Sequence, residues 1–142
     1  MIIKIVNIDK SNEIIIDDIS LGYKCEFTCS LVSGVAVVVP YENREDFLEP
    51  GAILSVETSQ NEITNFAIVS DSIEHSITRL SQGHNFYVVG TVSLNGDNEV
   101  FWVDVGNFTF ILDIEDTKGI KPKLGDSVEF CLNGLILWDE NT

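Results

Sequence analysis

The sequence predicts an all-β protein, a barrel or sandwich of about ten short antiparallel strands. The first observation is strict alternation, as in residues 23–31, where odd positions are apolar and even positions are polar. Such a period of two is typical of a strand with one buried face. The second is the spacing of turn signals such as Gly106-Asn107 and Asn133-Gly134, which separate short apolar runs. Short strands at this spacing favour a barrel or a sandwich.

The third observation is a sequence pattern that occurs twice, which we call the repeated phrase. It consists of a strand, an acidic loop, a turn with glycine, and a second strand. The two copies are 35–39 followed by 47–56, and 108–112 followed by 120–130. Gly51 and Gly125 hold the same place in the two turns. Self-similarity of this kind indicates repeated structural units. We therefore expect a single compact unit over 1–142, with pseudo-repeated halves at about 1–70 and 85–142.

The strands are predicted one by one from local pattern. The Ile-rich runs 2–6 and 13–17 predict a hairpin, because polar residues separate them. The run 35–39 is apolar on both faces, which indicates a central strand, and Pro40 ends it. The remaining predicted strands are 52–57, 63–69, 85–94, 100–105, 108–114, 128–132 and 135–138.

One helix is predicted between the halves, over about 72–81. The tetrapeptide Asp71-Ser72-Ile73-Glu74 has the form of a capping box, in which an N-cap acceptor is followed by Glu three residues later. Ile73, Ile77 and Leu80 follow at the spacing of one helix face. Gly83 is suited to end such a helix in the left-handed conformation.

The charge of the chain restricts its partners. Its 142 residues carry 23 acidic and 8 basic side chains, a formal net charge of −15. Nucleic-acid affinity comes largely from Lys and Arg that displace counterions, so this surface disfavours a phosphate backbone. It disfavours an anionic membrane surface for the same reason. A basic protein would be attracted instead, although acidity that serves solubility alone remains an alternative.

We expect a cytoplasmic protein with free thiols. The apolar run at the N-terminus is short for a signal peptide, and no segment approaches the length of a membrane span. Cys25 and Cys29 lie four residues apart in one predicted strand, too far for a disulfide, and Cys131 lies in another strand. Buried free thiols are typical of a reducing compartment.

The second half resembles a cold-shock domain, a small five-stranded barrel of the OB type. The resemblance rests on Gly90-Thr91-Val92, on 108–111 and on the phrase Leu124-Gly125-Asp126-Ser127-Val128-Glu129-Phe130. It implies an OB-like barrel that binds single strands through exposed aromatic side chains beside Lys and Arg. Phe101, Trp102, Phe108 and Phe110 stand where such aromatics would lie, but no Lys or Arg occurs between Arg79 and Lys118. The resemblance therefore supports the barrel, and nucleic-acid binding becomes the alternative function.

The sequence offers no pattern for catalysis, a cofactor or a metal. His75 and His84 lie in neither a Cys-x-x-Cys nor a His-x-x-x-His pattern, so a zinc site is not supported. The serines have no nucleophile-elbow context, and no glycine-rich phosphate loop is present. A glycosidase needs two carboxyl groups in a cleft, for which so small a domain has little room. We expect a protein that is not an enzyme.

The candidate site consists of the acidic loops within the repeated phrase and the aromatic residues beside them. Aromatic side chains dominate binding hot spots, and arginine stacks on them. The predicted partner-binding residues are Tyr41, Glu42, Glu45, Asp46, Glu49, Asp113, Glu115, Asp116, Trp138 and Asp139. A solvated acidic face without binding function is the alternative for the carboxylates, and Trp102 is left open between a core and a surface position.

Three functions follow as hypotheses. The first is an intracellular binding protein whose acidic loops engage a basic protein, for example an immunity or inhibitor protein that neutralises a nuclease-type toxin. The second is an OB-like module for single-stranded nucleic acid or an oligosaccharide. The third is a structural subunit that pairs edge strands into an oligomer.

Overall fold

The computed structural model describes residues 1–80, 85–95 and 100–140, and it confirms the all-β class. In these residues nine strands form one sheet, accompanied by two short 3₁₀ turns, Tyr41–Asn43 and Glu45–Phe47. The strands are β1 (Ile2–Ile16), β2 (Ser20–Thr28), β3 (Ser33–Val39), β4 (Ile53–Val69), β5 (Ser76–Arg79), β6 (Asn85–Asn95), β7 (Val100–Val105), β8 (Phe108–Asp113) and β9 (Ser127–Asp139).

Five strands close into a barrel, so the barrel rather than the sandwich is the observed architecture. The order is β3-β2-β1-β4-β9, and β9 pairs back to β3. This last pair is parallel, joining Val37–Val39 to Ile136–Trp138, whereas the other pairs in the ring are antiparallel. We call these five strands the closed barrel, which is consistent with a small OB-like barrel.

Two long strands extend beyond the closed barrel. β4 has 17 residues and β9 has 13, and they pair from Val56 with Asp139 to Val69 with Ser127. The far half of β9 pairs with β6, and the meander β6-β7-β8 follows. β5 lies along β6 as a short edge strand. We call the strands β4, β9, β6, β7 and β8 the open barrel, because no backbone ladder joins β8 to β4 among the described residues.

β9 serves both barrels because its buried positions change face at Gly134. Phe130 and Leu132 are buried at even positions, and Leu135 and Leu137 are buried at odd positions. Gly134 has φ +70°, and a Cβ added there would lie 2.4 Å from the Asn61 side-chain nitrogen. The turn predicted at Asn133-Gly134 is therefore wrong: the predicted strands 128–132 and 135–138 form one strand, in which the glycine changes the buried face.

The predicted helix over 72–81 is also wrong. Ser76–Arg79 forms β5 and pairs with residues 86–89 of β6. Of the supposed apolar stripe only Ile77 is buried, while Ile73 and Leu80 are 41% and 37% exposed. The Asp71 carboxylate caps no helix and accepts a hydrogen bond from the Ser127 hydroxyl (3.0 Å). Tertiary pairing with β6 outweighs the local helix signal, and residues 81–84 lie outside the described ranges.

The predicted N-terminal hairpin is one strand. β1 runs through both Ile-rich segments and pairs with β2 along its length. The register shifts between Asp9 and Ile14, and Asp9 accepts a hydrogen bond from the Ser11 backbone N–H (2.9 Å) within the bulge. The polar residues that suggested a turn thus form a bulge in a continuous strand. The β7–β8 turn at Gly106-Asn107 is confirmed, with φ +58° at the glycine.

The two loops of the repeated phrase rejoin the sheet in the same way. The Gly51 N–H donates to the Ile5 carbonyl (2.8 Å), and the Gly125 N–H donates to the Val92 carbonyl (2.9 Å). Ile5 and Val92 each donate back to the residue after the glycine, at 2.8 and 2.9 Å. A register shift directly follows both residues in their strands. A repeated unit would produce such matching contacts; the internal repeat itself stays a prediction.

Candidate functional site

The first acidic loop, residues 40–52, presents its predicted binding residues to solvent. Tyr41 is 39% exposed, and Glu42, Asp46 and Glu49 are exposed as well. Glu42 has φ +50°, which turns the chain sharply within the first 3₁₀ turn. The side chain of Glu45 lies outside what the structure describes.

A groove of about 320 Å³ lies beside this loop and contains groups of both signs. Tyr41, Arg44, Phe47, Ile53 and Asp139 are among its lining residues. The structure thus brings together Tyr41 and Asp139, which are distant in sequence. Arg44 Cζ lies 4.3 Å from the centre of the Phe47 ring, a cation–π contact. This groove is therefore lined by one cation, Arg44, and one carboxylate, Asp139.

The second acidic loop follows β8 and contains the predicted binding residues Asp113, Glu115 and Asp116. Two of its carboxylates accept hydrogen bonds from backbone groups of the same turn. The Asp113 side chain accepts hydrogen bonds from the backbone N–H groups of Glu115 (2.9 Å) and Asp116 (3.0 Å). The Asp116 side chain accepts one from the Asp113 N–H (2.9 Å). Burial, aided by the nearby Asp113 charge, raises the pKa of the Asp116 carboxyl above its ordinary value. Glu115 is exposed to solvent.

The two acidic loops lead into opposite ends of the β4–β9 ladder. The first loop enters β4 near the Val56–Asp139 pair, and the second enters β9 near the Val69–Ser127 pair. At about 3.3 Å per residue, these pairs lie roughly 40 Å apart along the strands. Trp138 belongs to the first end, where it is partly buried and its indole N–H donates to the Ser59 hydroxyl (2.7 Å).

Side chains join β4 to β8 where a backbone ladder is missing. The Thr58 hydroxyl donates to the Thr109 carbonyl (2.7 Å), and the Gln60 amide donates to the Ile111 carbonyl (3.2 Å). From Thr58 to Gln60 in β4, and from Thr109 to Ile111 in β8, the chain advances by two residues in the same direction. The two strands therefore run parallel here, as β3 and β9 do in the closed barrel. We call this junction the side-chain seam and the β3–β9 junction the backbone seam.

A groove of about 290 Å³ lies at the side-chain seam; we call it the seam groove. Its lining residues include Met1, Glu57, Trp102, Asn107, Ile111 and Glu140. Trp102 and Ile111 face each other across the β7–β8 ladder and are 41% and 49% exposed. Trp102 is therefore a surface residue, which resolves the question left open by the sequence. Glu57 is exposed and Glu140 is partly buried.

Sequence reasoning missed the seam groove, although one signal was present. Trp102 lies between Phe101 and Val103, which are 3% and 0% exposed, so alternation along β7 directs its side chain outward. No comparable signal marked Glu57 or Glu140, because only the β4–β8 contact brings β4 and the chain end beside Trp102.

The structure also describes the groups considered for catalysis or metal binding. Cys25 is buried, and burial raises its pKa to about 12, which makes its thiol a poor nucleophile at neutral pH. Among the described residues, no three His, Cys, Asp or Glu side chains are grouped to hold a metal ion. Within the same ranges, no helix has the length and apolar character needed to cross a membrane.

Fold and site together define the class: an acidic all-β protein built on a closed five-stranded barrel, with an aromatic and acidic groove beside a second, open barrel. No family model, curated protein or solved structure matches the chain. The function is therefore inferred from the chemistry of the chain's own residues.

Proposed function

We propose that this chain is a non-enzymatic intracellular protein that binds a basic protein partner. An immunity or inhibitor protein that neutralises a nuclease-type toxin is the specific form of the proposal. The observation that carries it is the formal net charge of −15, with exposed carboxylates near both ends of the β4–β9 ladder. Charge of one sign accelerates encounter with a partner of the other sign and excludes partners of like sign.

The first acidic loop supports direct contact with such a partner. Glu42, Asp46 and Glu49 are exposed beside the partly exposed ring of Tyr41, while Arg44 already lies over the Phe47 ring. Exposed aromatics within an acidic surface provide buried contact area once a partner docks, and the surrounding carboxylates select for cations.

The second acidic loop supports a different role. Asp113 and Asp116 accept hydrogen bonds from the backbone of their own turn, so much of their hydrogen-bonding capacity is used within the loop. Their charge still adds to the field of the molecule. We therefore assign this loop to steering of the partner, with Glu115 as its contact residue.

A nucleic-acid function receives less support from the strand faces. OB-type proteins bind oligonucleotides and oligosaccharides on the face of their second and third strands. In the closed barrel that face includes the pair of Glu26 with Val35. The equivalent pair in the open barrel is Trp102 with Ile111, because Glu26 and Trp102 are each the next residue in the ladder after the partner of Ile5 or Val92. The first pair has no aromatic ring, and the second lies beside Glu57 and Glu140. Binding of a single strand needs aromatic rings together with a cationic groove.

Calorimetric titration with small basic proteins, including any nuclease domain that a neighbouring gene encodes, tests the proposal. We expect a one-to-one complex whose affinity falls roughly tenfold or more from low to high salt, because exposed charges are screened. Affinity that does not change with salt would contradict the charge-based mechanism.

Two further measurements separate the alternatives. Saturable quenching of tryptophan fluorescence by a single-stranded oligonucleotide at moderate salt would favour the OB-like module. A stable oligomer in light scattering of the chain alone would favour the structural subunit. We expect neither result.

A further inference from the structure

We propose that the seam groove binds an arginine side chain of the basic partner. This inference rests on the proposed function and names the group that would be recognised. The site differs from both acidic loops. Its residues come from β4, β7, β8, the turn between β7 and β8, the residue before β1 and the segment after β9.

The apolar wall of the seam groove is a cross-strand pair. Trp102 and Ile111 lie directly opposite each other in the β7–β8 ladder, and each leaves more than two fifths of its side chain exposed. Cross-strand neighbours have Cβ atoms about 5 Å apart, so the two side chains form one continuous surface. An indole ring is the aromatic group that attracts a cation most strongly.

The charged lining of the seam groove is mainly acidic. Glu57 and Glu140 supply two carboxylates, and the amino group of Met1 is the only basic group that lining residues contribute within the described chain. A third carboxylate, Asp104, lies two residues from Trp102 on the same face of β7 and accepts a hydrogen bond from the Thr109 hydroxyl (2.9 Å). The local charge therefore favours a cation.

The size of the groove fits one side chain. Its volume of about 290 Å³ is at the lower limit of pockets for drug-sized ligands, which begin at roughly 300 Å³. The seam carbonyls of Thr109 and Ile111 already accept hydrogen bonds from Thr58 and Gln60. Polar recognition in the groove therefore falls mainly to the glutamate side chains.

Arginine matches this arrangement better than lysine. Its guanidinium is planar, stacks on an aromatic face and directs several N–H donors outward in its own plane. One arginine can therefore cover the Trp102 ring and donate to Glu57 or Glu140 at the same time. A lysine ammonium is a compact, strongly hydrated charge that gives up part of one contact to make the other.

Nuclear magnetic resonance on the ¹⁵N-labelled chain, titrated with a hexa-arginine peptide, tests the inference. Trp138 lies opposite Glu57 in the β4–β9 ladder, so the reference signals are the backbone amides of Ser76–Arg79 in β5, which contributes no lining residue to the groove. We expect the Trp102 indole signal to shift with saturation and the β5 amide signals to stay in place. A hexa-lysine peptide should bind several-fold more weakly.

Paired charge-removing variants locate the contribution of the groove. Glu57→Gln with Glu140→Gln should weaken hexa-arginine binding about tenfold, since charge-assisted hydrogen bonds to the peptide are lost. The matched control is Glu62→Gln with Glu74→Gln, which removes two exposed carboxylates that do not line the groove. This control should change the affinity less than about twofold, in line with screened surface charge. Unfolding curves should confirm that both double variants remain folded.

The outcomes separate this inference from the function on which it rests. If the peptide binds but Trp102 does not respond, or if both double variants weaken binding equally, the groove is not the site and the inference fails. In that case salt-dependent binding of a basic protein still supports the proposed function. If neither a basic protein nor the peptide binds, both proposals fail.

Discussion

The two barrels arrange their strands in the same order around the ring, although β4 is the fourth strand in the chain order of the closed barrel and the first in that of the open barrel. They close this ring with different bonds. At the backbone seam, Val37–Val39 pairs with Ile136–Trp138 through main-chain hydrogen bonds. At the side-chain seam, the side chains of Thr58 and Gln60 reach the carbonyls of β8 instead. The backbone seam is packed over buried residues such as Val38 and Leu137, both 0% exposed. The side-chain seam borders a groove of about 290 Å³.

This difference shows how one scaffold can hold a barrel closed by backbone pairing and an accessible groove. A backbone ladder sets neighbouring strands about 4.8 Å apart and leaves little space between them. A side chain that spans the junction separates the strands further, so residues beside it remain accessible. The seam groove with Trp102 is therefore a consequence of the open closure, and the closed barrel has a glutamate, Glu26, at the aligned position.

The largest expected effect compares buried and exposed residues at the two seams. Leu137→Ala should lower the free energy of unfolding by about 2–5 kcal/mol, because it leaves a cavity in the closed barrel. Ile111→Ala should lower it by about 1 kcal/mol or less, since that side chain is 49% exposed. Urea denaturation of the two variants measures both values. Equal losses would show that the two seams contribute equally to stability.

An intermediate effect is expected from Thr58→Val. The substitution keeps the shape of the side chain and removes the hydroxyl that donates to the Thr109 carbonyl. A hydrogen bond of this kind contributes about 1 kcal/mol, so the free energy of unfolding should fall by that amount. Amide hydrogen exchange should become faster in β8 and stay unchanged in β3. Thr78→Val, at an exposed position of the edge strand β5, is the control, and an equal loss there would contradict a special role for the seam.

The smallest expected effect concerns Asp116, in the loop that precedes β9. The Asp116 pKa is raised above its ordinary value of 3.8, mainly by burial, so the folded state holds this proton more tightly than the unfolded state. Stability contributed by the protonated form is therefore lost as pH rises through the interval between the two pKa values. Asp116→Asn should remove this loss and retain an oxygen that accepts from the Asp113 N–H.

The measurement is the unfolding midpoint of wild type and Asp116→Asn from acidic to neutral pH. The variant should gain relative to wild type as pH increases. Glu115→Gln, an exposed neighbour, should follow wild type more closely. A variant that loses stability relative to wild type on the same rise would contradict the assigned direction of the pKa shift.

Local pattern predicted much of the fold and little of the candidate site. Alternation in β2 correctly assigned Tyr23, Cys25 and Phe27 to the interior, because a strand places every second side chain on one face. Tyr41, which the sequence places beside the first acidic cluster, is 39% exposed. The helix over 72–81 failed because β6, the next strand in the chain, supplies the pairing that makes Ser76–Arg79 a strand, and the periodicity within 72–81 does not report that pairing.

By itself, the sequence determined the all-β class, the acidity and the repeated strand–loop–glycine phrase, since these depend on residue type and short-range spacing. Only the tertiary structure decided how the strands combine. In that structure β4 and β9 belong to both barrels. Backbone hydrogen bonds close one barrel, and side-chain hydrogen bonds join the edges of the other, where the groove at Trp102 forms. The physical reason is that strand pairing joins residues far apart in the chain, and no local preference encodes which edge will meet which.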